Sequence, residues 1–147
     1  MQLTAFYIVI LFLILLVDVR ERRILNALAL PGTVVAILAG LAGGRDDFLI
    51  TLSGAALGFL FFYALYWIGG KFYGSTALGF GDVKLATLLG AILGMHQVMI
   101  VLSLGMLLAG SAGIVLLMVK RGNRQSTLPY GAFLAIAGII ALIWTTV

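Results

Sequence analysis

The chain has 147 residues, of which 63% are hydrophobic and only 10% are charged. A soluble domain carries about 25% charged residues, so this composition, with a mean hydropathy of +1.23, excludes an ordinary soluble domain and predicts an integral membrane protein. Cysteine is absent and histidine occurs once, which excludes disulfides and thiolate metal sites and leads us to expect neither a metal nor another cofactor.

Polar breaks divide the chain into predicted helical spans. They cover about residues 2–17, 27–41, 48–68, 82–93, 98–119 and 129–144. The uncharged run 85–119 is too long for a single crossing of about 20 residues, so we expect it to break at Gly94-Met95-His96-Gln97. The predicted fold is an all-α polytopic membrane protein, with six transmembrane helices in a single membrane-embedded domain, residues 1–147.

The basic residues indicate the orientation of these spans. Loops two and four hold only Arg45. Loops one, three and five hold Arg20, Arg22, Arg23, Lys71, Lys120, Arg121 and Arg124. By the positive-inside rule, the odd loops face the cytoplasm and both termini lie on the non-cytoplasmic side of the cell membrane. We attribute the net charge of +4 to this topology and expect no nucleic-acid partner.

Two acidic residues are predicted to share one membrane face. Asp18 closes the first span and Asp82 opens the fourth, whereas Glu21 lies among arginines and Asp46 and Asp47 lie on the opposite side. Two neighbouring carboxylates can share one proton, so that one member takes a proton from water while the other polarises a scissile carbonyl. The pair therefore predicts aspartic-protease chemistry. Taken alone, Asp82 would equally serve as a helix cap.

Residues beside the two acids are candidates for supporting roles. Gly79 and Gly81 allow close approach of the backbone, either to the partner aspartate or to an extended substrate strand. Lys84 either supports the acid pair or extends towards lipid headgroups. Arg20 is first a topology determinant that also suits lipid headgroups, with substrate contact as the alternative, and Asn26 either caps the second helix or joins a network near the pair.

Three segments carry motifs: 79–85, GFGDVKL; 18–26, DVRERRILN; and 129–133, PYGAF. They resemble motifs of the type IV prepilin peptidases and the related archaeal preflagellin peptidases, and the first is similar to the family's GxGDxK motif. The segment 18–26, DVRERRILN, resembles the family's first aspartate loop, with Leu25 where proline is usual. The segment 129–133, PYGAF, resembles its last-helix motif, with Ala132 in place of the second proline. Together with the six-span layout, the resemblance covers essentially the whole chain.

The resemblance implies a membrane aspartic protease whose catalytic residues are Asp18 and Asp82. Such an enzyme removes a short basic leader from pilin-like precursors at the cytoplasmic membrane face, after a glycine and just before a hydrophobic helix. Longer members carry an N-terminal methyltransferase portion with a cysteine-rich metal site. This chain begins at the first protease helix and lacks cysteine, so we expect the short form, without N-methyltransferase activity.

Other functions are weighed against this one. Intramembrane acids also mark ion and proton pathways, so a transport or channel component is the alternative from another class, although spans two, five and six offer no charged residue at mid-depth. A catalytically inactive scaffold of a secretion assembly is a further alternative. The small-residue faces Gly54-x-x-x-Gly58 and Gly90-x-x-x-Gly94 predict close packing within the chain, with a homodimer as the alternative.

Overall fold

The computed structural model describes residues 2–21, 26–73, 79–118 and 130–146. These residues form the helices α1 (Gln2–Glu21), α2 (Asn26–Gly43), α3 (Arg45–Tyr73), α4 (Phe80–Met118) and α5 (Tyr130–Thr146). No strand occurs within the described ranges, so the predicted all-α fold is confirmed. The first, second, third and sixth predicted spans correspond to α1, α2, α3 and α5, and the fourth and fifth both fall within α4.

The helices have the length and composition of membrane-spanning segments. Within the described part of the chain, three are long and apolar enough to cross a membrane: Leu3–Glu21, Arg45–Phe72 and Phe80–Val115. The apolar helices Ala27–Gly43 and Tyr130–Thr145 are shorter. Large hydrophobic side chains such as Leu107 and Trp144 are exposed, as expected of helices that face lipid on one side and protein on the other. The chain is a membrane protein.

Helix α4 is interrupted at Gly94, whose φ of 72° and ψ of 177° are not helical. Two contacts with α5 show the consequence, because Leu134 packs on Gly105 whereas Gly138 packs on Leu89. On a straight helix Leu89 and Gly105 would lie about 24 Å apart, but Leu134 and Gly138 are separated by only about 6 Å along α5. The chain therefore folds back at Gly94, and the predicted break in this run is confirmed.

We expect Gly94→Ala to lower the free energy of unfolding by about 1–2 kcal/mol, because an L side chain is strained at this positive φ. The added Cβ would also lie 2.6 Å from Cγ2 of Ile50. Thermal unfolding in detergent measures the change. Gly110→Ala, in the same helix with no atom within 4 Å of the added Cβ, is the matched control, and equal stability of the two variants would contradict a strained turn at Gly94.

Small residues bring α3 and the first segment of α4 into backbone contact. A Cβ at Gly54 would meet the carbonyl of Gly90, and a Cβ at Gly58 would meet the carbonyl of Ala86. Numbering rises along one helix as it falls along the other, so the two helices are antiparallel. The predicted packing of these small-residue faces within the chain is confirmed. This contact fixes the position of the first segment of α4, which begins at the GxGD motif.

Candidate active site

One layer of the core sets the level of the two acids. Gly138 of α5 packs against Leu11 of α1 and Leu89 of α4. Asp18 lies seven residues after Leu11 in α1, and Asp82 lies seven residues before Leu89 in α4. Each acid is therefore about 10 Å along its helix from this layer. Because Asp18 and Asp82 are also close enough to interact electrostatically, α1 and the first segment of α4 run antiparallel and carry both acids to the same end of the helix bundle.

Both carboxylates are removed from solvent. Asp18 is 4% exposed and Asp82 is 8% exposed, and among the described residues no other charged side chain is buried to this degree. The two groups are close enough for Asp18 to act electrostatically on Asp82. A buried charge is costly unless hydrogen bonds or proton sharing offset the loss of hydration. A pair of acids in this setting is therefore typical of a functional site.

Asp18 is held by a helix that lies far away in sequence. Its Oδ2 accepts a hydrogen bond from the backbone N–H of Ala132 at 2.7 Å, across 114 residues of chain. Ala132 is the third residue of α5, and the first four N–H groups of a helix have no intrahelical acceptor. The carboxylate of Asp18 thus accepts a hydrogen bond from one of the N–H groups at the start of α5. The end of α1, the start of α4 and the start of α5 meet at the site.

Asp82 makes a local hydrogen bond at the start of α4. The N–H of Gly79 donates to Oδ2 of Asp82 at 3.3 Å, and the N–H of Asp82 donates to the Gly79 carbonyl at 3.0 Å. A third-position side chain that reaches back to the cap residue is one half of a capping box. Asp82 therefore does cap its helix, and it does so from the third helical position.

Three predicted supporting residues, Gly79, Gly81 and Lys84, lie next to or within the first turns of α4. Gly79 contributes its N–H to Asp82, and a Cβ there would be in ordinary contact with Oδ2 of Asp82, at 3.5 Å. Gly81, next to Asp82, is partly exposed. The Nζ of Lys84 lies 5.1 Å from the ring centroid of Phe80, so the ammonium group sits over an exposed aromatic ring near the start of α4.

Of the two remaining predicted residues, Arg20 is not brought to the pair. Arg20 is exposed in the last turn of α1, and residues two apart on a helix do not face each other, so it points away from Asp18. A cation at that position complements the C-terminal end of the helix dipole. Asn26 is the first residue of α2, and its side chain lies outside the described residues, as do Arg22 and Arg23.

A contact that the sequence did not predict comes from α5. The PYGAF motif includes Ala132, but the contact with Asp18 is made by a backbone N–H, which residue type does not predict. Within the described ranges, no three His, Cys, Asp or Glu side chains lie close enough together to hold a metal ion. The side chains that converge are the two carboxylates.

The fold and the site define a class of protein: a helical membrane protein with two buried aspartates at one end of the helix bundle. The model of the type IV leader peptidase family matches residues 5–146, and the chain belongs to this family.

Curated relatives share the matched region. The prepilin leader peptidase/N-methyltransferase of Aeromonas hydrophila is 35% identical over 128 residues, 87% of this chain and 44% of the relative. That of Pseudomonas putida is 32% identical over 129 residues, 88% of this chain and 45% of the relative. That of Pseudomonas aeruginosa is 31% identical over 132 residues, 88% and 44% of the two chains. The chain thus spans less than half the length of these relatives. No solved structure matches it.

Proposed function

We propose that this chain is a membrane aspartic endopeptidase that removes the short basic leader from type IV prepilin-like, or preflagellin-like, precursors. The observation that carries the proposal is the buried pair Asp18 and Asp82 at one end of the bundle. Membership of the type IV leader peptidase family supports the reaction class, and the names of the relatives, prepilin leader peptidase/N-methyltransferase, support the substrate class.

The proposed mechanism uses the two carboxylates with one proton between them. The ionised member takes a proton from a water molecule, whose oxygen attacks the scissile carbonyl, while the protonated member donates a hydrogen bond to the carbonyl oxygen. The C–N bond of the tetrahedral intermediate then breaks, and the nitrogen leaves with the proton taken from water. Both acids return to their starting states, so Asp18 and Asp82 suffice as the acid–base machinery.

We propose that the single domain, residues 1–147, crosses the inner membrane six times, with both termini on the non-cytoplasmic side. The fold-back at Gly94 supports two crossings within α4, and the basic odd-numbered loops support the orientation. The first segment of α4, residues 80–93, is about 21 Å long, shorter than the hydrocarbon core of about 30 Å. The Asp82 end would then lie at or just inside the cytoplasmic interface.

This depth suits the proposed substrate. A precursor with a basic leader and a hydrophobic helix would insert the helix into the bilayer beside the enzyme, and the leader would remain in the cytoplasm. The bond to be cut then falls at the cytoplasmic interface, the level proposed for both aspartates. Lipid contacts of the exposed apolar helix faces would hold enzyme and precursor in the same plane.

The test is cleavage of a pilin-like precursor by the purified chain in detergent, with the product identified by mass spectrometry. We expect a single cut after the glycine that precedes the hydrophobic segment. We also expect a product without an added methyl group, because the methyltransferase portion of longer members uses cysteines that this chain lacks. A folded wild type that leaves the precursor intact would contradict the proposal and favour the scaffold or transport alternatives.

A further inference from the structure

Four aromatic side chains form a continuous exposed row along α3 and onto the start of α4. Phe59 stacks on Tyr63 with ring centroids 5.5 Å apart, and Tyr63 stacks on Tyr66 at 6.4 Å. The ring of Tyr66 meets that of Phe80 edge-on at 5.6 Å. All four side chains are between 37% and 43% exposed. We propose that this aromatic row is the docking surface for the hydrophobic helix of the precursor. The inference rests on the proposed function, since it names the surface that binds the substrate of the same site.

The aromatic row begins at the GxGD motif. Phe80 stands two residues before Asp82, with only Gly81 between them. Side chains two apart on a helix do not face the same way, so the row and the carboxylate lie on different sides of the start of α4. Gly81 is partly exposed and has no side chain to block an extended strand that crosses from one side to the other. One substrate chain can therefore reach both the row and the acid pair.

The aromatic row also has the direction that the substrate requires. Under the proposed function, the hydrophobic helix of the precursor starts just after the scissile bond and runs from the acid pair towards the opposite end of the bundle. Because Gly58 packs on Ala86, Phe59 lies about 4–5 Å beyond the level of Asp82 in that direction. From Tyr66 to Phe59 the row extends about 10 Å along α3, the length of two turns of a bound helix.

Positive charges at one end of the aromatic row favour the apolar part of the precursor over its basic leader. The ammonium group of Lys84 lies 5.1 Å from the centroid of the Phe80 ring. Lys71, in the last turn of α3, lies 5.1 Å from the centroid of Trp67. These cations repel a basic segment. An apolar helix is not repelled, and it can pack on the rings by van der Waals contact, which drives helix association within membranes.

Aromatic side chains near a membrane interface also serve as simple lipid anchors. An anchor contacts lipid individually and needs no contact with other rings. The rings of the aromatic row contact one another in series, which restricts their conformations before anything binds and lowers the entropy cost of binding. Rigid aromatic surfaces of this kind are typical of the residues that dominate protein interfaces.

The deciding variant combines Phe59→Ala with Tyr63→Ala. Cleavage of the complete precursor is compared with cleavage of a short peptide that ends a few residues after the cut and so lacks the hydrophobic helix. We expect the ratio of the two kcat/KM values, which measures what the helix contributes, to fall about 5- to 20-fold, the scale of truncated interface aromatics. The loss should appear mainly as a higher KM for the complete precursor. Both side chains are exposed, so the fold should be retained.

Two variants serve as controls for the aromatic row. Tyr63→Phe keeps the ring and should restore the ratio to within about twofold of the wild type. Trp144→Ala removes an aromatic side chain that is 84% exposed and lies about 18 Å along α5 from Ala132, the residue that contacts Asp18. Its ratio should also stay within about twofold. An unchanged ratio in the double variant, or an equal fall in Trp144→Ala, would overturn the inference and leave the proposed function intact.

Photo-crosslinking locates the bound helix without any turnover. A photoreactive phenylalanine analogue, benzoylphenylalanine, replaces Tyr63 in the Asp82→Asn variant, so that the precursor stays intact. We expect a covalent adduct with the hydrophobic segment of the precursor, and none when the analogue replaces Trp144. Adducts only with lipid, with the leader or with a second copy of this chain would overturn the inference. An adduct with a precursor that the wild type never cuts would contradict the proposed function alone.

Discussion

Asp18→Asn and Asp82→Asn are each expected to lower the rate of precursor cleavage by about a thousandfold or more, the scale on which general acid–base catalysis acts. Asparagine has nearly the shape of aspartate but can neither take a proton from water nor donate an acid proton to the carbonyl. Its side-chain oxygen can still accept the N–H of Ala132 or of Gly79, so the fold should be retained. Initial cleavage rates measure the effect, and thermal unfolding checks the fold.

Asp46→Asn is the matched control, because it makes the same chemical change in an exposed carboxylate of α3. The register of α3 against α4 pairs Gly58 with Ala86 and thus places Asp46 about 24 Å along the bundle from the level of Asp82. We expect its cleavage rate to stay within about twofold of the wild type. Wild-type rates in either Asp18→Asn or Asp82→Asn would contradict the two-aspartate mechanism.

The level of the two acids could be predicted because the signals are local. Hydrophobic run lengths and basic loops predict that the end of the first span and the start of the fourth lie on one side of the membrane, and in the structure Asp18 and Asp82 lie at the same end of the bundle. The break at Gly94 was also predictable, because the apolar run exceeds one crossing. Each inference needed only a few neighbouring residues.

Contacts between distant helices could not be predicted in the same way. The hydrogen bond between Ala132 and Asp18 joins residues 114 positions apart, and its donor is a backbone group that alanine shares with every residue except proline. In the sequence, Ala132 stands out only because it replaces the proline that is usual in the motif. In the structure that departure supplies the N–H, because a proline at this position has none to donate.

Gly90→Ala is expected to lower the free energy of unfolding by about 3 kcal/mol, at the upper end of the usual cost of overpacking. The added Cβ would collide with the carbonyl oxygen of Gly54 and lie 2.6 Å from its carbonyl carbon. Both atoms belong to the backbone of α3 and cannot rotate away, so the two helices must separate. Unfolding by SDS or heat in detergent measures the loss.

Gly70→Ala is the matched control, since Gly70 is also helical and a Cβ there meets no atom within 4 Å. It should leave stability unchanged or raise it by up to about 1 kcal/mol, the helix propensity difference between glycine and alanine. Because α3 positions the first segment of α4, Gly90→Ala should also displace Asp82 and reduce cleavage by folded protein. If Gly90→Ala were as stable and as active as Gly70→Ala, the backbone contact would not be what places Asp82 beside Asp18.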